Sequence, residues 1–556
     1  MWDIFISVLA LLAGVGVFIA GMNMMGDGIE QSAGSGLKRL LGRISDNRFA
    51  GVGIGAAVTA IIQSSSATSV MVIGFVNAGI MTLAQATAII MGANIGTTIT
   101  GVLVSLSSLP ISEFMALLAF IGVMLTFVKK DKVKRIGGAL CGLGLIFVGL
   151  DLMSAAFKGA AINNFFIEVF KVVDFPLLLI FIGVLFTALI QSSSAATGVV
   201  IIMAGTGAIT VQSALFIVLG SNIGTCVTAA LAAMGANVNA KRTALLHLTF
   251  NVLGTALFTV ILWVFGDFIV GALQSLLPDN AQMQIAWFHV IFNVTTTLVL
   301  LPFIRQLVRL VTLAIKDKPH GEEQLRLKFV DDRLLTTPPV AIMQAQKELE
   351  YMVSLAKENM QNAFVSIMER KLDYAESIAQ NEAVVDFTNS AVTRFLIKLS
   401  SHVTDKDERA IGAYFHVLND VERIGDHAEN FHEIGVEMLE KELTFSTEAL
   451  QELSLMRDKV MEMFDIAQRA FASGNTAQLT KLTALENEVD GMKRALTASH
   501  FNRLAIGECH MELSPYFSSA ISGLERVADH LINVGYSILN PTGSQSQAVR
   551  AAKIKL

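Results

Sequence analysis

The sequence predicts an all-α protein in two parts: a polytopic membrane domain of two inverted repeats with re-entrant hairpins, then a soluble domain of charged helices. Three observations carry this. Charge is scarce, at 16% of 556 residues against about 25% in a typical soluble protein, and it is unevenly placed. Between Gly51 and Val128 the one ionisable acid or base is Glu113, and Phe175 to Ala240 has no Asp, Glu, Lys or Arg; such stretches suit hydrocarbon. A block of sequence recurs 128 residues later without a gap. From about Lys316 onward, Glu, Lys, Asp and Arg appear at helical spacing. The net charge of −6 gives no support to nucleic-acid binding. Cys141, Cys226 and Cys509 are far apart, which argues against a disulfide framework or a cysteine metal site.

Residues 1–128 form the first membrane repeat. Its opening apolar segment, Ile4 to Met25, lacks the basic residues that precede a cleaved leader and reads as a retained helix. Leu12 to Gly21 reappears as Leu140 to Gly149, the Gln-Ser-Ser-Ser tract at Gln63 as that at Gln191, and Asn94-Ile-Gly-Thr97 as Asn222-Ile-Gly-Thr225. Residues 129–315 hold the second repeat and the transmembrane helices after it. Flanking charge gives each copy a direction, because cytoplasmic loops concentrate Lys and Arg. Lys38, Arg39, Arg43 and Arg48 put the first copy's loop inside; Lys158 and Lys171, balanced by Glu168 and Asp174, leave the matching loop outside. Lys129 to Arg135, Lys241 with Arg242, and Arg305 to Lys318 mark further inside ends, while Gly266 to Met283 has no basic residue. The path is a multi-pass protein of the cell (inner) membrane, amino terminus outside and soluble domain cytoplasmic. The copies are thereby inverted, which places a site near the midplane where they meet.

The tracts belong at that meeting point. Each breaks an apolar segment too short to cross alone, and a break at depth is tolerated where protein or water covers the backbone. A helix starting there offers unpaired N–H groups and its positive dipole end to an oxyanion. Serine hydroxyls can donate to that anion or turn lone pairs to a small hard cation, and Gln63, Gln191, Asn94 and Asn222 can do either. A single serine in such a helix usually bonds its own preceding turn. Four consecutive polar residues in both copies are harder to explain that way. Gly92 to Thr97 lacks a P-loop lysine and a preceding strand, so it is no nucleotide site. No nucleophile–base pair appears in this half, and no enzyme is expected.

Read together, QSSSATS at Gln63 and QSSSAAT at Gln191 resemble the type II sodium/phosphate cotransporter family over roughly the first 310 residues. The resemblance implies sodium-coupled transport of inorganic phosphate. It implies phosphate binding by Gln63, Ser64, Ser65, Ser66, Gln191, Ser192, Ser193 and Ser194. Co-transported sodium ions are assigned to Gln63, Asn94, Thr97, Gln191, Ser192, Asn222 and Thr225. Partners are phosphate, sodium and the lipid bilayer, with a homodimer as the candidate assembly. Physics favours sodium over protons, since Glu113, Asp27 and Asp151 lie near helix ends and His247 and His289 read as structural hydrogen-bonding groups. No Lys or Arg flanks either tract, so bound sodium supplies the positive charge, and each ligand lowers the cost of holding the other. The competing readings are net export, a membrane-tethered sensor, and carriage of another oxyanion such as sulfate or arsenate.

A polar linker, 316–339, ends at Pro338-Pro339, and helical periodicity runs from 340 to 540, followed by a tail at 541–556. This part repeats as well. Glu382 and Asp386 match Glu486 and Asp490 at an offset of 104; Glu422 and Asp426 match Glu525 and Asp529 at 103. Acids at i and i+4 share a helix face, and two such helices present four carboxylates to a cation. These signatures resemble the PhoU family. That resemblance implies a cytoplasmic six-helix regulator of two three-helix repeats, with a divalent or transition metal held by the eight acids.

Overall fold

The computed structural model describes residues 2–42, 47–109, 112–173, 175–316, 325–401, 403, 405–537 and 539. Every regular element among them is helical, and the chain divides into two compact units, Met1–Pro319 and His320–Leu556.

The first unit runs through α1 (Trp2–Gly42), α2 (Arg48–Ile62), α3 (Ser65–Asn77), α4 (Leu83–Ser105), α5 (Ser112–Thr126), α6 (Asp131–Lys158) and α7 (Ala160–Val172). It continues with α8 (Pro176–Ile190), α9 (Ser193–Gly205), α10 (Val211–Gly224), α11 (Cys226–Ala233), α12 (Val238–Leu276), α13 (Ala281–Leu300) and α14 (Ile304–Ala314). The offset of 128 carries boundaries as well as sequence: α2 begins where α8 does, α3 matches α9 at both ends, and α4 begins where α10 does. Spans long and apolar enough to cross a membrane include Phe5–Ile29, Leu83–Ser108, Asp131–Lys158 and Val211–Ala233. By contrast α2, α3, α8 and α9, at about 1.5 Å per residue, fall short of a hydrocarbon layer of roughly 30 Å.

Small residues set the packing. A Cβ on Gly55 would overlap the Ile89 carbonyl and one on Gly92 that of Val52; Gly183 with Ile217 and Gly220 with Ile180 repeat the arrangement in the second copy. Helix backbones therefore touch directly, which in lipid replaces the missing hydrophobic drive between helices. The equivalent helices α1 and α6 pack on each other in opposite directions: Gly14 faces Gly149, Gly21 faces Gly142, and Gly28 faces Ala139. Phe18, Phe147 and Phe157 fill the fully buried layer beside them.

Two expectations change. Lys38 and Arg39 stand on α1, because the opening helix runs on to Gly42 with no loop before them. Arg43, Asp174 and Lys318 lie outside the described residues. In the linker, structure resumes before Pro338: the Glu348 carboxylate accepts the N–H groups of Lys328, Phe329 and Val330 at 2.6–3.0 Å, and a short 3-10 turn follows at Asp332–Thr336. The tail 541–556 also lies outside the described residues.

The second unit consists of α15 (Pro338–Met368), α16 (Ala375–Ser400) and α17 (Asp405–Glu440), then α18 (Thr447–Ser473), α19 (Leu479–Ala505) and α20 (Ser514–Tyr536). Two three-helix repeats result. Pro338 starts α15, where its fixed φ costs nothing; Ser446 caps α18 and Gly474, at φ 64°, ends it. The stripes of Leu, Met and Phe that meet between α15, α17, α18 and α20 form its core.

Candidate functional site: two serine tracts at helix breaks

Both tracts break the chain in one way. Gln63 and Gln191 sit in the left-handed region, at φ 59°, ψ 23° and φ 59°, ψ 22°, and Ser64 and Ser192 follow in extended backbone near φ −143°. Each glutamine N–H still bonds the last turn, at Thr59 and Thr187, both 2.7 Å. Each serine hydroxyl accepts from the third residue of the next helix, Ala67 at 3.1 Å and Ala195 at 3.2 Å. Glycine is the ordinary residue for this conformation, and a side chain there costs about 1–2 kcal/mol. Keeping glutamine twice is a reason to assign its amide a task.

The third serine of each tract reaches the opposite repeat. Thr228 on α11 lies within 3.1 Å of Ser66, and Ser194 on α9 within 3.4 Å of Thr100 on α4. Ser66 and Ser194, like Thr100 and Thr228, are related by the offset of 128, so these are two copies of one contact. Thr100 also donates to Gln63 Oε1 at 2.9 Å, which leaves Gln63 and Ser194 two hydrogen bonds apart. Ser65 and Ser193 are buried, and neither makes a hydrogen bond among the described residues.

The residues of the Asn-Ile-Gly-Thr pair fall elsewhere. Asn94 donates to Asn251 on α12, and Asn222 to Asn293 on α13, each at 2.7 Å; His289 Nε2 lies 3.2 Å from Asn222 Oδ1. The Thr97 and Thr225 hydroxyls donate to their own preceding turns, at Ala93 and Ser221, leaving lone pairs for a cation. His289 thus bonds between helices as expected, whereas neither ring nitrogen of His247 has a partner among the described residues.

The Na+/Pi-cotransporter family matches residues 17–155 and 152–272, once on each repeat, and the PhoU domain matches 349–434 and 453–538. YqeW of Bacillus subtilis is 35% identical over 303 residues, covering 54% of this chain and 96% of its own. The chain belongs to the Na+/Pi-cotransporter family. YjbB of Escherichia coli K12, provisionally named for inorganic phosphate export, is 26% identical over 542 residues, 96% of this chain and 98% of its own. The human sodium-dependent phosphate transport protein 2B is 36% identical over 104 residues, 18% of this chain and 15% of its own. This Na+/Pi-cotransporter chain thus has the character of a transporter fused to a PhoU domain.

Several polar residues of the cotransporter unit have no site role in the sequence reading. Thr100 and Thr228 each lie three residues beyond the Asn-Ile-Gly-Thr motif, and only the 128-residue offset marks them. Asn251 and Asn293 each follow a histidine by four residues, a recurrence 42 residues apart that the main repeat does not contain. Ser69 and Thr197 close the QSSSATS and QSSSAAT motifs; both hydroxyls are fully buried and make no hydrogen bond among the described residues. They lie one turn beyond Ser65 and Ser193, on the same helix face.

In the PhoU unit the acids gather into two sets. Burial, and then Asp386, Glu429, Asp426 and Glu422, push the Glu382 carboxyl up to about 7. Burial, and then Glu525, Glu486 and Asp490, push Asp529 up to about 6. Cations trim both sets: Lys493 pairs with Glu525 at 2.9 Å and Arg423 with Asp426 at 3.3 Å. Among the described residues no three His, Cys, Asp or Glu side chains are placed to hold one metal ion, so the predicted four-carboxylate sites are gathered but not closed. Oxygen donors and negative charge fit a hard cation at the Glu382 set, where one buried carboxylate oxygen has no partner.

Proposed function

We propose that the chain carries inorganic phosphate across the membrane together with sodium, through one site formed where each serine tract meets the opposite repeat. The observation that carries this reading is the doubled contact, Ser66 with Thr228 and Ser194 with Thr100. It brings hydroxyls of both repeats within reach of a single solute. Ser65 and Ser193 are the hydroxyls left to donate to phosphate, together with the first-turn N–H groups of α3 and α9. The glutamine amides, the Thr97 and Thr225 lone pairs, Ser69 and Thr197 supply neutral oxygen for sodium.

Charge decides why sodium is needed. Two helix N-termini offer about +0.5 each. Phosphate near neutral pH carries between about one and two negative charges. Among the described residues no side-chain cation stands beside the tracts, so at least one sodium ion must enter to hold the dianion. Antiparallel α1 and α6, equivalent helices in contact, support the inverted arrangement and hence access from either face. Direction then follows the sodium and phosphate gradients, and export of excess phosphate is the same cycle reversed. The PhoU unit is read as the cytoplasmic regulator. A divalent cation bound at its Glu382 set would supply the charge that lets those carboxylates ionise together.

Sodium titration of phosphate flux in reconstituted vesicles tests the proposal. Flux should rise with sodium and vanish in choline. Equal flux in choline would refute sodium coupling, and equal flux of sulfate would refute selectivity for phosphate.

A further inference from the structure

The third helices of the two PhoU repeats, α17 and α20, pack antiparallel, as the contacts Asp420 to His530, Phe431 to Gly523 and Glu437 to Tyr516 define. The offset of 103 relates them and carries Asp420 onto Gly523, His427 onto His530 and Asn430 onto Asn533. The rings of His427 and His530 lie 6.0 Å apart, close to the two-fold that this offset implies. Each flank of the helix pair therefore has a twin.

The twins differ in one respect that matters. On the first flank Asp420 Oδ1 accepts from His530 Nδ1 at 2.8 Å and from Asn533 Nδ2 at 3.0 Å. On the second flank the acceptor is gone, because Asp420 is replaced by Gly523. Phe415, His416 and Asn419 are likewise replaced by Ser518, Ser519 and Ser522. A solvent-open cleft of about 430 Å³ lies there, and its polar lining is half-buried His427 and Ser522 with exposed Asn430, Ser518, Ser519 and Arg526. None of these six makes a hydrogen bond or ion pair among the described residues. Arg423, the twin of Arg526, is engaged by Asp426 and Glu422. Packing alone explains part of this: a Cβ on Gly523 would stand 2.7 Å from the Phe431 ring, so the ring requires the glycine. It does not explain the imidazole–amide pair whose twin holds a carboxylate, or why Arg526 lacks the ion pairs that hold Arg423.

We propose that this cleft binds a small oxyanion, one oxygen of which takes the place that Asp420 Oδ1 fills on the other flank. Imidazole and amide N–H groups donate to that oxygen, serine hydroxyls to the others, and Arg526 supplies the charge and a planar fork. No acid lines the cleft. The site rests on the twin comparison; the choice of phosphate as probe rests on the transport reading.

The test is equilibrium binding of labelled inorganic phosphate to the full-length protein in lipid nanodiscs, with choline replacing sodium so that the transport site stays empty. One phosphate per chain should bind saturably. Arg526→Gln should weaken it at least tenfold, and Gly523→Asp combined with Phe431→Val, which copies the filled twin, should abolish it. Should that pair unfold, Ser522→Asp brings a carboxylate into the cleft from a half-exposed position and should abolish binding too. Ser65→Ala and Ser193→Ala should leave it unchanged, so a failed transport assay does not touch this result. Competition by a phosphate monoester below or above the inorganic concentration tells whether esterified or free phosphate is preferred, and either result supports the site. No binding in choline, binding unaffected by Arg526→Gln, or binding lost with Ser65→Ala would overturn it.

Discussion

The two serine tracts have the same backbone and different side-chain surroundings. Their glutamines agree to within one degree in φ and ψ, yet Gln63 is half-buried, donating to the Ala60 carbonyl at 2.6 Å and accepting from Thr100, whereas Gln191 is exposed and makes no side-chain hydrogen bond among the described residues. Ala67, just after the first tract, is exposed; Ala195, its equivalent, is fully buried. Sequence fixes the break, and tertiary packing decides which copy is latched. For a carrier that must open its site alternately, such a difference is what one state of a two-state device displays: one tract held, the other released.

The largest expected effect falls on what the tracts share. Ser65→Ala and Ser193→Ala should each lower apparent phosphate affinity about tenfold, the value of one hydrogen bond to a charged group, and together by about a hundredfold or more. Uptake at normal membrane abundance measures this, and loss in one variant alone would make the tracts unequal partners. The difference itself is tested next. Cysteine at Gln191 should react with a thiol reagent at least about tenfold faster than cysteine at Gln63 in sodium-free buffer; equal rates would dissolve the comparison. A smaller effect is expected at Ser69→Ala and Thr197→Val. Removing a buried hydroxyl without a partner leaves stability unchanged or slightly higher, whereas the sodium concentration for half-maximal uptake should rise about threefold. A fall in stability with unaltered sodium dependence would make these hydroxyls structural.

The smallest effect belongs to the PhoU unit, where the two acid sets offer a second comparison. Glu382, held up to about 7, binds its proton more tightly folded than unfolded, where the value is 4.5. That contribution is complete below about pH 4.5 and is lost as pH rises through 7. Glu382→Gln should therefore match the wild type at pH 5 and melt a few degrees higher at pH 8. Added manganese should narrow the gap at pH 8. A gap that is widest at pH 5 would reverse the assigned sign.

What could be read in the sequence was whatever the chain repeats. An ungapped offset of 128 places Ser64 and Ser192 at matching helix starts because local backbone preference and the polar break lie within a few residues of each other. Offsets of 104 and 103 likewise identified eight acids on matching helix faces. Partnership across the fold was not legible. Asn94 was assigned to sodium on its amide chemistry, but Asn251, 157 residues away, takes that amide's donor. Thr100 looks like any threonine in an apolar helix until Gln63 and Ser194 converge on it. Carboxylate spacing showed which acids face one way, but not the distances between helices, or Lys493 and Arg423 among them, that leave the acids unclosed around a metal among the described residues.

The claim on which the rest depends is that the two tracts serve one solute between them. Ser66 and Thr228 lie close enough for a cysteine pair at these positions to bridge the repeats under mild oxidation. The account predicts that the bridge forms in the intact protein, forms more slowly with phosphate and sodium present together, and stops phosphate uptake until a reductant restores it. A bridged protein that continues to carry phosphate at the wild-type rate would contradict it.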